Sequence, residues 1–446
     1  MTSLPHTTES LCPVCLAAAP AELVAVGEGD TAVLRGRCDQ HGAWETIVWS
    51  GPPSFSEWCG TRAAEAGVSS DAGPCPGSCG LCARHEQRTC TALLEVTRRC
   101  NLGCPICFAE SVPGRDDPDP SLEQMERMLG DLFVDQGAVN LQLSGGEPTV
   151  RDDLPDIVRI ARDIGFTFVQ LNTNGLRLAA ETGYAEELRD AGLASVFLQF
   201  DGVTDSTYRA LRGRPLVAQK MAVLERCAEA GLAVVLVPTV VPGVNDQEMG
   251  DLVRLATQWP GVVRGVHLQP ISYFGRFTKG ERPRLTLPEV LRLLERQTAG
   301  VLEVGDFAPS CCEHVRCSFR ARYWVRDDGS LELVRSEGSC CGAQTEGAAR
   351  RAIKATSRQW GRRPTARSHA AEGSGPQDGF DRLLDDIDRI LCISGMLFQD
   401  AWCVDMERVR RCCVHVLVPE RGLVPFCLWN LTDAAGRRLY PRVQPV

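Results

Sequence analysis

The sequence predicts an α/β protein: a partial (β/α)6 barrel flanked by small cysteine-rich, metal-binding N- and C-terminal lobes. Three observations lead there. Between residues 91 and 300, short β-branched runs alternate with amphipathic helical periods, the pattern of a parallel sheet covered by helices. The 22 cysteines are unevenly placed: eleven at or before Cys107, Cys227 alone in the centre, and ten from Cys311 onward. Polar residues recur just where each strand run ends, the edge at which such sheets carry their chemistry.

Residues 1–90 form the first lobe, rich in Gly, Pro and Cys with little helical period. Cys12-Pro-Val-Cys15 and Cys38-Asp-Gln-His41 are two knuckles that give four ligands for one tetrahedral zinc or a rubredoxin-like iron, with Cys59 a substitute for His41. Cys75, Cys79, Cys82 and Cys90 offer four thiolates, a complete shell for an auxiliary [4Fe-4S] cluster or a zinc ion.

The barrel, 91–300, reads as six strand-then-helix units. The strands are expected at 91–96, 139–143, 166–171, 195–200, 234–240 and 262–269. The helices are expected at 122–134, 154–163, 184–190, 217–230, 248–257 and 287–296. The third region, 301–446, offers Cys312, Cys317, Cys412 and Cys427 for a further auxiliary cluster, with His314 and His415 read as structural neighbours and Cys340, Cys341, Cys392 and Cys403 as small buried apolar residues. Residues 342–380 shift to Ala, Gly, Ser and Arg and are read as a flexible insertion; seven Lys and Arg residues between 350 and 367 fit a solvated linker better than an anionic-surface patch.

Composition removes several classes. A net charge of -9 argues against a nucleic-acid-coating role. Met1–Ser10 has no basic region leading into an apolar core, and the least polar run, 231–244, is shorter than the ~20 residues that cross a bilayer. The expectation is a cytoplasmic protein, in which CxxC pairs hold metal rather than form disulfides.

The sharpest signal is Cys100-Asn-Leu-Gly-Cys104-Pro-Ile-Cys107-Phe108, directly after the first barrel strand. Three thiolates in one loop can hold three irons of a [4Fe-4S] cubane and leave the fourth open to a chelating small molecule. Ser144-Gly145-Gly146-Glu147-Pro148 ends the second strand, where glycines allow close backbone approach to a ligand. Asn172, Asn174, Gln199, Asp201, Thr239, Asn245 and Gln269 follow at later strand ends, suited to ribose hydroxyls, adenine or substrate, or else to capping helices. A multi-zinc interaction protein is the non-enzymatic alternative.

The CxxxCxxCF loop followed by GGE resembles the radical S-adenosylmethionine (radical SAM) superfamily. The full order, CPxC, CxxHG, CGLCxxHxxxTC, TRRCNLxCPICF, SGGEP, VPTVVxGVND, QPISxxGR, CCVH and PFCxxN, resembles its tetraether lipid synthase branch, whose members are often labelled pterin methylases. The resemblance implies a TIM-type radical SAM barrel. It implies that the iron left open by Cys100, Cys104 and Cys107 chelates S-adenosylmethionine, and that one electron then yields a 5'-deoxyadenosyl radical. The methionine amino group would meet Glu147 and the backbone of Ser144, Gly145 and Gly146, beside Phe108. One or two auxiliary [4Fe-4S] clusters, a mononuclear Fe or Zn, and an electron donor such as ferredoxin or flavodoxin are also implied. The function expected is carbon–carbon coupling of lipid alkyl chains at unactivated C–H positions, with transient contact at a membrane surface; the alternative is radical methylation of a pterin-like small molecule. Tyr273, Phe274, Phe277, Met396, Leu397 and Phe398 are candidates for an apolar substrate tunnel or for plain core.

Overall fold

The computed structural model describes residues 4–27, 30–59, 75–76, 81–82, 84–114, 118–278, 280–310, 312–335, 347–361, 389–419 and 421–442. Strands β1 (His6–Leu11), β2 (Ala18–Val26), β3 (Thr31–Cys38) and β4 (Gly42–Trp49) form an antiparallel sheet in sequence order. Its β2 alternates buried Ala19, Ala21 and Leu23 with exposed neighbours, as a one-sided sheet requires. Leu11 pairs with Ala18 and Cys38 with Gly42, so the turns after β1 and β3 come to the same end of this sheet.

The second sheet carries the barrel. Its strands are β5 (Thr91–Thr97), β6 (Asn140–Gly145), β7 (Val169–Thr173), β8 (Ser195–Gln199), β9 (Ala233–Val237), β10 (Thr239–Val240), β11 (Val263–Pro270), β12 (Ser318–Val325), β13 (Leu331–Leu333), β14 (Ile390–Met396), β15 (Val414–Val418) and β16 (Gly422–Pro425). The order is β13-β12-β14-β11-β9-β8-β7-β6-β5-β15-β16, with β10 pairing β11. All five residues of β9 are buried, the continuous apolar run of a strand covered on both faces. The run expected to be one strand at 234–240 breaks at Pro238, which has no N–H to give a ladder.

The six expected parallel strands, β5 to β9 and β11, are present, and two more extend them. β14 joins β11 and β15 joins β5, both in parallel register. The region 301–446 therefore supplies both edges of the barrel sheet, finished by antiparallel β12 and β13 on one side and β16 on the other. Its short apolar strands, such as VHVLV in β15, lie among cysteines, so their period is hard to separate from a metal lobe.

The expectation of a flexible segment over 342–380 is corrected for Ala348–Trp360, which form a helix of 13 residues packed on β6, β9 and β11. Its inner face is Ala348, Ala349 and Ala352, small enough for close approach, with Ile353 packed beside them; the Ala-, Gly-, Ser- and Arg-rich composition of the surrounding stretch obscures this stripe. The Trp360 ring lies against Phe197 (centroids 5.8 Å) and His267 (5.7 Å). Residues 342–346 and 362–380 of that segment, and Cys340 and Cys341 before it, fall outside the described residues. Among the described residues no helix is long and apolar enough to cross a membrane.

Removing the Trp360 ring deletes most of the large apolar contact of this helix. Trp360→Ala is expected to raise hydrogen exchange across 348–360 at least tenfold while leaving exchange in β6 to β8 unchanged. Equal protection in both proteins would show that the alanine face alone docks the helix.

Candidate active site and metal centres

The loop bearing Cys100, Cys104 and Cys107 follows β5 and is neither helix nor strand, so its backbone groups need partners from elsewhere. Its start is pinned to the Gly-Gly-Glu turn: Gly146 N donates to Thr97 O (2.8 Å) and Glu147 N to Arg99 O (2.9 Å). A Cβ on Gly145 would sit 2.2 Å from Thr97 O and one on Gly146 2.1 Å from Arg99 O, so only glycine permits this approach. Farther along, Cys107 and Arg276 exchange both backbone hydrogen bonds (2.9 Å each), next to Gly275, whose φ is +66° and whose Cβ would strike Cys107 O at 2.6 Å.

Arginines take up the loop's carbonyls. Arg276 donates to Cys104 O and Ser111 O (2.8 Å each) and Arg212 to Ile106 O (3.1 Å). From the C-terminal tail, Arg438 donates to Phe108 O and Arg442 to Ala109 O (3.0 Å each). Burial pushes the Cys100 thiol up to about 12, and raises Cys104 against the pull of Arg212. Such thiols ionise only when a cation arrives, the behaviour of ligands that release protons as metal binds.

The three cysteines form the rim of a cavity of about 710 Å3. Phe108 from the cysteine loop and Ser144, Gly145, Gly146, Glu147, Asn172, Asn174, Gln199, Thr239 and Gln269 from the strand ends line it. Asp201 does not: fully buried, it clamps Arg212 in an ion pair (2.6 Å) and takes a hydrogen bond from Thr239 N (3.1 Å). Asn245 is likewise structural, joining Asp201 O, Thr239 O and Val241 N. Glu147 reaches the wall already engaged, with Oε1 accepting from Thr149 N, Thr149 Oγ1 and Thr173 Oγ1 and Oε2 from Asn174 N. Oε2 retains room for one more donor.

Arg212 and Lys220 carry no motif and were not singled out by the sequence. Their sole signal is position, on the two helices after the strand that ends in Gln199. Gln199 lies between the two cations, and buried Lys220 donates to Asn174 O (2.6 Å). Burial lowers the Lys220 amine to about 8. The cavity also presents polar atoms with no partner: Asn172 Oδ1, both amide atoms of Asn140 and Trp360 Nε1. Buried groups of this kind are rare in folded proteins and mark where a polar ligand fits. The donor set of three thiols in one loop, beside a cavity with free acceptors and donors, fits a site-open [4Fe-4S] cluster with S-adenosylmethionine.

Cys12, Cys15, Cys38 and His41 converge with all ligand atoms within 4.8 Å of one another, matching the four-ligand expectation. A hydrogen bond from His41 holds the Cys38 thiol down at about 6. The other cysteines regroup. Val414 pairs with Thr91, so the residues just before, Cys413 and Cys90, stand side by side with sulfurs 3.1 Å apart, and Cys312 completes a buried group. Cys90, expected with Cys75, Cys79 and Cys82, lies within ligand distance of Cys312 and Cys413. Cys413 takes the place expected for Cys412 because successive residues entering a strand point to opposite faces. Hydrogen bonds from Cys312, then Cys413, pull Cys90 to about 5.

Cys317, Cys412 and Cys427 form a neighbouring set. The half-buried Cys412 and Cys427 thiols are raised by desolvation first and then by their neighbouring thiols, Cys317 among them; Gln399 N and Arg408 Nε donate to the sulfurs of Cys427 and Cys317 (3.3 and 3.4 Å). Cys75 and Cys82 lie in short described stretches, Cys79 and Cys311 fall outside them, and nothing is described of the Cys59 side chain. His415 faces His85 (3.2 Å) and Thr89 (3.0 Å), and His314 Nδ1 accepts from Arg316 N.

The regrouping is open to metal analysis. Cys413→Ala should remove as much protein-bound iron or zinc as Cys312→Ala, with the metal of Cys12, Cys15, Cys38 and His41 retained. Full metal content in Cys413→Ala would return Cys90 to the upstream set.

Comparison with known proteins agrees with this geometry. Residues 94–256 match the Radical SAM superfamily and residues 4–50 the HMPTM N-terminal zinc ribbon domain. A 7,8-dihydro-6-hydroxymethylpterin dimethyltransferase of Methanocaldococcus jannaschii is 32% identical, over 95% of this chain and 93% of its own. A GTP 3',8-cyclase of Heliobacterium modesticaldum is 35% identical over 40% of this chain and 55% of its own. A crystal structure of Streptococcus suis SuiB with precursor peptide SuiA has 17% identity and a TM-score of 0.41, covering 49% of this chain and 47% of that one. With a full-length relative above 30% identity, and with three thiols, the Gly-Gly-Glu turn and the parallel sheet in place, the chain belongs to the radical S-adenosylmethionine superfamily.

Proposed function

We propose that this enzyme methylates a reduced pterin or a closely related bicyclic heterocycle by radical chemistry. The observation that carries the reading is similarity along nearly the whole chain, both cysteine-rich flanks included, to the M. jannaschii pterin dimethyltransferase. Cys100, Cys104 and Cys107 would hold a [4Fe-4S] cluster which, once reduced by an external one-electron donor, would supply the open iron and the electron for reductive cleavage of S-adenosylmethionine to methionine and a 5'-deoxyadenosyl radical. The residues around it bind and orient. Glu147, fixed by Thr149, Thr173 and Asn174, offers Oε2 to an amino group, and Arg212, held by Asp201, presents fixed positive charge beside Cys104.

The walls suit a flat heterocycle. Asn140, Gln142, Asn172, Gln199 and Gln269 offer uncharged amides, complementary to ring edges that mix donors and acceptors, and Phe197 and Phe274 offer apolar faces. A volume near 710 Å3 lies within the range of about 300–1,000 Å3 common to small-molecule sites. Ring C–H bonds of a pterin offer little acidity to a general base, so hydrogen abstraction at a carbon held close to the radical source is the available route, a positioning task.

Coupling of lipid alkyl chains is the second reading. One observation favours it: Phe108, Phe274, Phe398 and Phe426 gather beside the cysteine rim, with Phe398 and Phe426 centroids 4.5 Å apart, an apolar wall suited to methylene chains. Met396, Phe274 and Phe398 line the cavity, whereas Tyr273, Phe277 and Leu397 pack away from it.

Reconstituted, reduced enzyme given methyl-labelled S-adenosylmethionine and 7,8-dihydro-6-hydroxymethylpterin should yield 5'-deoxyadenosine and labelled methionine from the molecule that is cleaved. It should also yield a pterin carrying the label from a second S-adenosylmethionine, which serves as methyl donor and leaves as S-adenosylhomocysteine. The Cys100, Cys104, Cys107 triple alanine variant should lose about four irons and both deoxyadenosine and labelled pterin. Deoxyadenosine without labelled pterin, together with a joined-chain product from a phospholipid, would replace the first reading by the second.

A further inference from the structure

We propose that the far end of the cavity is a phosphate-binding subsite that anchors an anionic group on the substrate. The subsite deepens the reading of this cavity as the substrate site and rests on it.

The cavity does not stop beneath the cysteine rim. Asn140, Gln142 and Ser144, every second residue of β6, line it in succession, and so do Thr91 at the start of β5 and Ile390 at the start of β14. At about 3.3 Å per residue, the step from Ser144 to Asn140 alone is about 13 Å. The opening therefore runs through the sheet to the N-terminal ends of its strands, where the helix Ala348–Trp360 closes it with Thr356, Gln359 and Trp360.

That end is basic. Arg264, Arg320, Arg322 and Arg358 line the cavity, and its lining carboxylates are Glu147, at the opposite end, and Glu313, which already accepts from Ser318 Oγ (2.7 Å) and lies near the Cys413 thiol. The Arg322 guanidinium has no hydrogen-bond or ion-pair partner among the described residues. Asn140 is 1% exposed with neither amide atom bonded, and Trp360 Nε1 is buried without an acceptor. Guanidinium groups with indole and amide N–H donors match an ion with several acceptor oxygens, and arginine forks suit phosphate in particular. A lone heterocycle with its reacting carbon under the rim would not reach this floor. A substrate with an extended arm ending in phosphate would, and the arm could belong to a phosphorylated pterin side chain or to a phospholipid headgroup.

The probe is inorganic pyrophosphate, titrated calorimetrically into anaerobic holoenzyme. Wild type should bind it, and Arg322→Gln, on the half-exposed face of β12, should bind at least about tenfold more weakly, as expected for losing one charge-assisted contact. Arg326→Gln, which breaks an exposed pair with Glu332 just beyond the same strand, should bind as wild type does. Iron content and thermal midpoint of each variant report folding separately. No binding to wild type, or equal affinity in Arg322→Gln, overturns the subsite. Displacement of pyrophosphate by the diphosphate ester of hydroxymethyl-dihydropterin but not by the free alcohol assigns the arm to the heterocycle. Displacement by short-chain phosphatidylglycerol assigns it to a lipid, and displacement by neither overturns its service to the substrate. Failed methyl transfer with pyrophosphate binding intact would unseat the reaction and leave the subsite standing.

Discussion

The structure depends on holding an irregular, partly buried loop in one shape with a single β-bridge, Cys107 to Arg276, and otherwise no helix or sheet bonds. Residues 98–111 have to place three thiols at the mouth of the barrel, and a ladder or helix would fix their spacing to its own period. The loop's carbonyls are instead taken by Arg212, Arg276, Arg438 and Arg442, which come from a barrel helix, the segment after β11 and the C-terminal tail. Each guanidinium brings five donors and a permanent charge, so a few side chains can satisfy many acceptors. Three of the four are offset by Asp201, Glu110 and Glu95; Arg276 serves carbonyls.

This brace explains why the flanks are not appendages. Arg438 and Arg442 lie beyond β16, and the same tail binds the first metal knuckle, with Ala434 N donating to Pro13 O and Arg437 reaching Val14 O. The turn holding Cys12 and Cys15 and the loop holding Cys104 and Cys107 are thus attached to one stretch of chain. On the other side, β14 and β15 join the barrel sheet laterally, and that register brings Cys413 to Cys90.

Much of this was legible in the sequence and some could not be. The six-strand core and the residues at strand ends follow from alternation and local punctuation, and the Cys12, Cys15, Cys38, His41 site follows from two short knuckles, because both signals are local. Cys413 rather than Cys412 beside Cys90 depends on which face each residue takes on entering β15, and on β15 pairing with β5 more than 300 residues away. No local pattern carries that register. Asp201 sits at a strand end like its neighbours, but its role as a clamp requires knowing that Arg212 folds back over it. The Ala348–Trp360 helix was hidden because its apolar stripe is mostly alanine and lies inside an Ala-, Gly-, Ser- and Arg-rich stretch whose composition reads as a linker.

That alanine face and a single glycine decide what the cavity can be. Barrel interiors of this type are commonly filled by layers of large side chains. Here the lower lumen is closed by a tryptophan from outside the strands. A Cβ on Gly265 would lie 3.1 Å from Trp360 Nε1 and 3.0 Å from Cys392 O, so the glycine lets the indole settle over the lumen. The floor is then an added helix, and the lumen above it stays open to a ligand. Phe274, Phe398 and Phe426 crowd the rim at the opposite end, so the cavity has an aromatic wall at its mouth and an indole at its base. Hydrogen abstraction needs a site shielded from solvent and side reactions. A cavity with aromatic rings at its mouth and an indole at its base contributes that shielding while keeping length enough for a substrate with an arm.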